Sequence, residues 1–332
     1  TSREAFASNL ASEAGVSYDS VIADAQAAGW QPGFTLAGTL LGSVYAFLNT
    51  IGYTFNAYYL GEMKQAQRLR AQVIAMFGSL LVFGLLTASL YWLVYYRIGP
   101  DFFQGLSYLY ATGSSSYALP FSYLNAANLI AFGARLPGLY LLANVLVMLS
   151  YLVSIITWPF IVVRSLFAWS FDRILPAKIA QVDSKGNPWV AVLVATAVSE
   201  AYVALVVANP SIGAWLAYQI FGWALAWVVV GLAAAIFPYR RRDLFEASPP
   251  PVKRRFLGIP LITLLGLASA LFSGIMAYGV ISPVFIGTVN PFFLTLTLLL
   301  FLIGLGIYYA SYVARKRQGI PMELLYKTLP PE

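Results

Sequence analysis

The sequence has no cysteine and no histidine among its 332 residues, and only 10% of them are charged. Without cysteine there is no disulfide framework and no thiolate for metal or redox chemistry. Without histidine the commonest general base and metal ligand is missing. Soluble domains are about 25% charged and about 45–50% apolar. Here 60% of the residues are hydrophobic and the mean hydropathy is +0.74. So few charges cannot screen so much apolar surface in water. A soluble enzyme, a disordered chain and an ordinary basic nucleic-acid binder are all excluded. An intramembrane enzyme is hard to assemble as well, because neither a catalytic dyad nor a metal site is at hand.

What is present is a set of long apolar runs. Seven reach the roughly 20 residues that a helix needs to cross about 30 Å of hydrocarbon: 35–60, 72–96, 138–163, 189–208, 213–237, 259–283 and 291–313. None contains Lys or Arg. Of the 20 basic residues, 17 fall in four connecting segments: 61–71, 164–188, 238–258 and 314–332. The other set of segments (1–34, 97–137, 209–212 and 284–290) holds only Arg3, Arg97 and Arg135. The two sets alternate along the chain, as loops on opposite faces of a bilayer must. The positive-inside rule makes the first set cytoplasmic. Residue 1 is then expected outside and residue 332 inside, in a multi-pass protein of the cell membrane. The net charge of +7 is thus a topology signal, with membrane lipid rather than nucleic acid as its partner. Arg240–Arg242 and Lys253–Arg255 are the densest clusters and are suited to anionic lipid.

The chain starts at Thr1, and residues 1–34 are polar, with no basic n-region leading into an apolar h-region. An outside start without an export signal is expected if earlier spans precede it and 1–34 is an external loop of a longer protein. Its stretch Ser17–Ala28 suits a short helix with Ser17 or Ser20 near its start. The second external loop, 97–137, carries an apolar run from Leu119 to Ala134, bounded by Pro120 and Pro137, which is expected to lie at the outer face. Pro249–Pro251 stiffens the basic loop 238–258. Small residues recur at four-residue spacing as Gly38/Gly42, Gly84/Ala88, Gly266/Ala270/Gly274 and Gly306/Ala310, a pattern of close helix–helix contact.

Three polar features are costly in hydrocarbon and therefore mark candidate sites. The first is Asn49-Thr50-Ile51-Gly52-Tyr53-Thr54-Phe55-Asn56, in the middle of the first run. Gly and Asn weaken a helix, and a broken helix frees backbone N–H and C=O groups for a substrate or ion. The other reading is an ordinary helix whose Asn side chains bond a neighbour. The second feature is Ser150, Ser154 and Thr157 ahead of Pro159, with spacings that put three hydroxyls on one face. They are candidates for coordinating a cation, or simply bond back to the preceding turn. The third is Glu200, the one charged residue in any of the seven runs. It is a proton-relay candidate or a structural hydrogen-bonding group. Tyr218 and Gln219 are weaker candidates for a cavity lining.

These residues also carry a resemblance. Phe47-Leu48-Asn49-Thr50-Ile51-Gly52-Tyr53, then Gly61-Glu62-Met63-Lys64 and Arg68, is similar to the sixth helix and its exit in the amino acid–polyamine–organocation permeases. The proline usual after that Arg is absent here. Arg164-Ser165-Leu166-Phe167-Ala168, Asp172-Arg173-Ile174-Leu175-Pro176 and Gly186-Asn187-Pro188-Trp189 resemble the exit of the eighth helix and the loop after it, with Arg173-Ile174 where the family usually has Gly. Arg317-Gln318-Gly319-Ile320 and Leu329-Pro330-Pro331-Glu332 look like a frequent ending.

The resemblance implies an all-α polytopic membrane protein. Its seven transmembrane helices would be the sixth to twelfth of the family: the second inverted repeat of a five-plus-five transporter fold, plus two C-terminal helices. The parts would be an external loop (1–34), the second-repeat helices (35–237), a basic cytoplasmic loop (238–258), two accessory helices (259–313) and a cytoplasmic tail (314–332). The partners would be the first five helices of the same protein and an amino acid or amine substrate. Asn49, Thr50, Ile51, Gly52, Tyr53 and Asn56 would line the substrate site. Ser150, Ser154 and Thr157 would face the region where sodium-coupled members hold an ion. Sodium and proton coupling both stay open, Glu200 matches no family motif, and no cofactor is implied. The rival class is a non-transporting structural subunit of a larger complex, which needs no broken helix and would be favoured by a continuous first span through Gly52.

Overall fold

The computed structural model describes residues 2–50, 52, 54, 55, 58, 68–117, 119, 128, 129, 137–282, 289–320 and 322. These residues are overwhelmingly helical. The α-helices are α1 (Arg3–Ala14), α2 (Tyr18–Ala27), α3 (Leu36–Thr50), α4 (Leu69–Ile98), α5 (Pro100–Ala111), α6 (Pro137–Phe171), α7 (Trp189–Ala208), α8 (Trp215–Arg240), α9 (Arg242–Ala247), α10 (Leu261–Val280) and α11 (Pro291–Arg317). A two-stranded hairpin, β1 (Arg255–Phe256) and β2 (Ile259–Pro260), precedes α10.

Six helices among the described residues are long and apolar enough to cross a membrane, namely α4, α6, α7, α8, α10 and α11. Their surfaces support that reading. On α4, Ile74, Phe77, Leu81, Leu85 and Leu86 are all exposed, Leu86 to 67%. A continuous apolar surface of this kind is unstable in water and stable in lipid. The protein is therefore a multi-pass membrane protein. The first run, 35–60, for which the sequence leaves a broken and a continuous helix both open, is not among these six. Its α-helix, α3, holds only 15 residues and stops at Thr50.

The chain divides into two compact units: residues 1–35 with 52–158, and residues 36–51 with 159–332. In the first, short capping signals start the helices. The Ser2 hydroxyl accepts from the Ala5 N–H (3.2 Å) and the Ser17 hydroxyl from the Ser20 N–H (3.0 Å). Gly15 closes α1 at φ 67°. Phe6, Leu10, Val21, Ile98, Phe102 and Leu106 share one core, joined by Leu119 and Leu129. The segment before α3 and the segment after α4 therefore pack together at the C-terminal end of α4. At its centre the buried Tyr18 hydroxyl donates to the Ile98 carbonyl (2.6 Å), and the Tyr18 ring stacks on Phe102. Gly99 must be glycine here. Its φ is +100°, and a Cβ would come within 2.5 Å of the Tyr18 oxygen.

Burial pushes the Tyr18 phenol above its ordinary value, partly opposed by Arg3, whose guanidinium lies 4.8 Å from the ring centroid. The stability that this neutral phenol contributes is complete below the ordinary phenol range and is lost as pH rises through the raised value. Tyr18→Phe strands the Ile98 carbonyl. It is expected to cost this unit about 1–3 kcal/mol, read as faster amide exchange in α1, α2 and α5 with α10 unchanged.

In the second unit α8 and α10 cross at their backbones. A Cβ on Gly231 would lie 2.7 Å from the Gly266 carbonyl oxygen, and one on Gly266 would lie 2.6 Å from the Gly231 oxygen. The Thr263 hydroxyl donates to the Ala235 carbonyl (3.0 Å) beside the crossing. The Gly266/Ala270 stripe is thus a packing face. A Cβ at Gly42, Gly84 or Gly306 would meet nothing within 4 Å. Val44, Phe221, Ala224 and Met276 form the core between α3, α8 and α10.

Helix α6 ends at Phe171, and the turn after it is tied to α11. Arg173 takes a left-handed conformation (φ 62°), and its carbonyl accepts from Arg315 Nε (3.2 Å). The neighbouring Ile174 carbonyl accepts from the Ser311 hydroxyl (2.5 Å) on α11. Arg173→Gly keeps these backbone acceptors and removes the Cβ strain. It is expected to raise stability by about 1 kcal/mol in a thermal melt. The loop before α7 is closed by Asp183, whose carboxylate accepts from the Lys185 and Asn187 backbone N–H groups (2.8 and 2.9 Å) and from Asn187 Nδ2 (3.0 Å). These bonds, Asn187's side chain foremost, hold its pKa below the usual carboxylate value.

Candidate substrate site

The run 35–60 begins as a regular helix and then changes. α3 stops at Thr50, and Gly52, Thr54, Phe55 and Tyr58 take 3₁₀ conformation. The Thr50 hydroxyl turns back and donates to the Ala46 and Phe47 carbonyls (2.8 and 3.2 Å). This is the local competition by which Thr weakens helix continuation. A helix that stops leaves the carbonyls of its last turn without intrahelical partners, and 3₁₀ turns inside an apolar run mark a hinge or a strained segment. Thr54 and Phe55 are buried. Of the expected lining residues, Ile51, Tyr53 and Asn56 lie outside the described residues, as does the side chain of Asn49.

The expected ion face is described in part. Ser150 Oγ donates to the Val147 carbonyl (2.7 Å) and Ser154 Oγ to the Ser150 carbonyl (2.9 Å). Both hydroxyl protons are thus spent on the preceding turn, and both side chains are exposed on α6. The side chain of Thr157 lies outside the described residues. Glu200 sits mid-way along α7, exposed, with no hydrogen bond or ion pair among the described residues. Asn49, Thr50 and Glu200 belong to one unit; Gly52, Ser150 and Ser154 belong to the other.

A second polar group, in the second unit, was only half legible. The Tyr218 hydroxyl is buried and accepts from the Asn290 N–H (2.6 Å) at the start of α11. Trp215 Nε1 donates to Thr297 Oγ1 (2.9 Å), which in turn donates to the Phe293 carbonyl (3.0 Å). These contacts pin α8 to α11. By contrast, Gln219 Nε2 and the Tyr202 hydroxyl are buried without a hydrogen-bond partner among the described residues. Tyr202 follows Ser199 and Glu200 in the one polar stretch of the second half of α7, which is the signal that singles it out.

Residues 9–310 match the family model described as amino acid permease. The chain belongs to the amino acid permease family. No match was found among curated proteins or among solved structures. The matched residues run from within α1 to within α11, so the permease assignment covers both units and all six spanning helices. It places the chain in the amino acid–polyamine–organocation superfamily, among membrane transporters rather than enzymes. In a permease the polar groups at membrane depth are read as parts of a substrate pathway. The interrupted run around Gly52 is the permease's strongest candidate for the binding position.

Proposed function

We propose that this chain forms the helices corresponding to the sixth to twelfth of a secondary active transporter for amino acids or related amines, working by alternating access. One observation carries the proposal: the first apolar run is α-helical only as far as Thr50 and is 3₁₀ at Gly52. A discontinuous helix at membrane depth offers free backbone groups to a zwitterionic substrate. In this reading N–H groups near Gly52 hold the substrate carboxylate, and Tyr53 packs against its side chain. Asn49, Thr50, Ile51 and Asn56 complete the lining. Residues 35–60 count as a seventh crossing in this reading. The lone pairs left on Ser150 and Ser154, with the Thr157 hydroxyl, are the oxygen ligands available to a coupling cation, and Glu200 is the group available to a proton. Rocking of one helix set about the fixed site then exposes the substrate to each side in turn.

The topology proposed is residue 1 outside and the C-terminus in the cytoplasm. It draws support from the core shared by residues 1–35 and the segment after α4, since both must then lie on one side of the membrane. A structural subunit needs no break in the first run, and the end of α3 at Thr50 counts against that reading. The test is uptake of radiolabelled amino acids by proteoliposomes containing the permease that carries this chain, with sodium and proton gradients imposed separately. Saturable uptake competed by unlabelled amino acids or amines, and driven by one gradient, is expected. Absence of both binding and uptake across the amino acids and amines would overturn the reading.

A further inference from the structure

The basic loop between α8 and α10 is built as more than a connector. It holds six basic residues, Arg240–Arg242 and Lys253–Arg255, against two acidic ones, Asp243 and Glu246. Arg241 is engaged with Asp243 (3.2 Å), and Lys253 donates to the Glu246 carbonyl (3.0 Å). The side chains of Arg240, Arg242 and Arg254 have no hydrogen bond or ion pair among the described residues. Among the described residues the loop thus carries an excess of positive charge that its two acidic residues do not balance.

The hairpin that ends the loop adds an apolar tip. Phe256 pairs with Ile259 and Arg255 with Pro260. Directly opposed residues share a face of a strand pair, so Phe256 and Ile259 form one face and Arg255 and Pro260 the other. The turn between them is Leu257-Gly258, and both residues have positive φ, +49° and +80°. Asn and Gly are the residues that suit such a turn. Leucine there is strained, and it is also 86% exposed, with Phe256 at 60%. In water the tip bears two costs, backbone strain and exposed apolar surface, with no benefit visible within the protein. The hairpin leads directly into α10, and α8 ends at Arg240, the first of the basic residues. The tip and the charges therefore lie where two membrane-spanning helices leave the bilayer.

We infer that the hairpin Arg255–Pro260 is a lipid-binding site. Phe256, Leu257 and Ile259 enter the interface of the cytoplasmic leaflet, and Arg254 and Arg255, with Arg240 and Arg242, bind the phosphates of anionic phospholipids. An apolar tip beside basic residues is the combination that adds buried area to attraction for anionic headgroups. The inference rests on the topology proposed above, which makes this loop cytoplasmic.

With no cysteine in the chain, one introduced cysteine is the only thiol it offers to a label. A nitroxide on Ile259→Cys leaves Phe256 and Leu257 intact, and Ala247→Cys on α9 is the control. The permease is reconstituted in phosphatidylcholine vesicles with a rising fraction of phosphatidylglycerol. The label at 259 is expected to become accessible to oxygen and shielded from a water-soluble nickel complex as the anionic lipid rises, while that at 247 stays in water. Arg254→Gln with Arg255→Gln is expected to raise the anionic-lipid fraction at half-response severalfold, since ~1 kcal/mol per surface basic residue is about a fivefold loss of binding for each arginine removed. Inorganic phosphate with neutral vesicles is expected to have no effect, and shielding by phosphate alone would overturn the inference. A label at 259 that stays in water at every lipid composition also overturns it. A membrane-impermeant thiol reagent applied to the Ala247→Cys variant separates the two premises. Modification from the outer side only would sink the topology. A thiol at position 247 that reacts from the cytoplasmic side, beside a water-exposed label at 259, sinks the lipid site alone.

Discussion

Gly266→Leu is expected to separate α8 from α10 and to cost the protein about 3 kcal/mol or more, lowering its thermal midpoint in detergent or leaving it unable to fold. Even one methyl is too large here. A Cβ on Gly266 would stand 2.6 Å from the Gly231 carbonyl oxygen and 2.7 Å from the Ala235 nitrogen. These are backbone atoms, so no side chain can rotate to make room, and the helices themselves must shift. Overpacking of a tight site costs about 1–3 kcal/mol even where side chains can adjust. The shift also pulls Thr263 away from the Ala235 carbonyl, leaving an acceptor at membrane depth. Lipid tails give little drive to re-form the contact, because helix association in a bilayer depends on close packing rather than on escape from water. Gly84→Ala and Gly306→Ala are the controls. A Cβ at either position meets nothing within 4 Å, so each is expected to be neutral or to stabilise its helix by about 0.5–1 kcal/mol. A thermal series in one detergent that ranks Gly266→Ala with Gly84→Ala would refute the crossing as the source of the effect.

The contrast between these glycines marks how far the sequence alone reaches. The four-residue spacing identified Gly266/Ala270 and Gly84/Ala88 alike, since spacing fixes the face of a helix but not what stands opposite. Only the first pair is met by a second small-residue face, Gly231 with Ala235, on a helix more than 25 residues away. Ser17 was legible as a helix start because a cap is a local device, three residues long. Helix α1 was not, since Phe6 and Leu10 are its only buried large apolar residues, and their partners Val94, Phe102 and Leu106 lie far along the chain. Ser150 and Ser154 were correctly placed on one face, yet spacing cannot say that both hydroxyls turn to the backbone. Trp215 and Thr297 sit 82 residues apart, and nothing local in either helix announces their bond. Six of the seven apolar runs, by contrast, coincide with helices long enough to cross a membrane, because bilayer thickness imposes length on a helix whatever it packs against.

Gly52→Leu is expected to weaken amino acid binding about ten- to a hundredfold while leaving the thermal midpoint nearly unchanged. The proposal places the substrate carboxylate against backbone N–H groups close to Gly52, and hydrogen bonds to a charged group are worth about 1.5–3 kcal/mol. Each 1.4 kcal/mol is a factor of ten in affinity. A branched side chain beside those groups keeps the ligand from reaching them. Among the described residues there is room for a small addition: a Cβ on Gly52 would rest 3.6 Å from the Phe55 ring edge, an ordinary contact, and the φ of Gly52 is not in the left-handed region. Gly52→Ala is therefore expected to fold like the parent, so any affinity it loses belongs to the site and not to stability. This separates Gly52 from Gly266, where the methyl already collides with backbone. Equilibrium binding of a radiolabelled amino acid to the purified permease, run beside a melt of the same sample, measures both terms. If Gly52→Leu binds as tightly as the parent at an unchanged midpoint, the substrate does not use this break in the helix. Gln219 Nε2, buried with no hydrogen-bond partner among the described residues, would then be the next group to test.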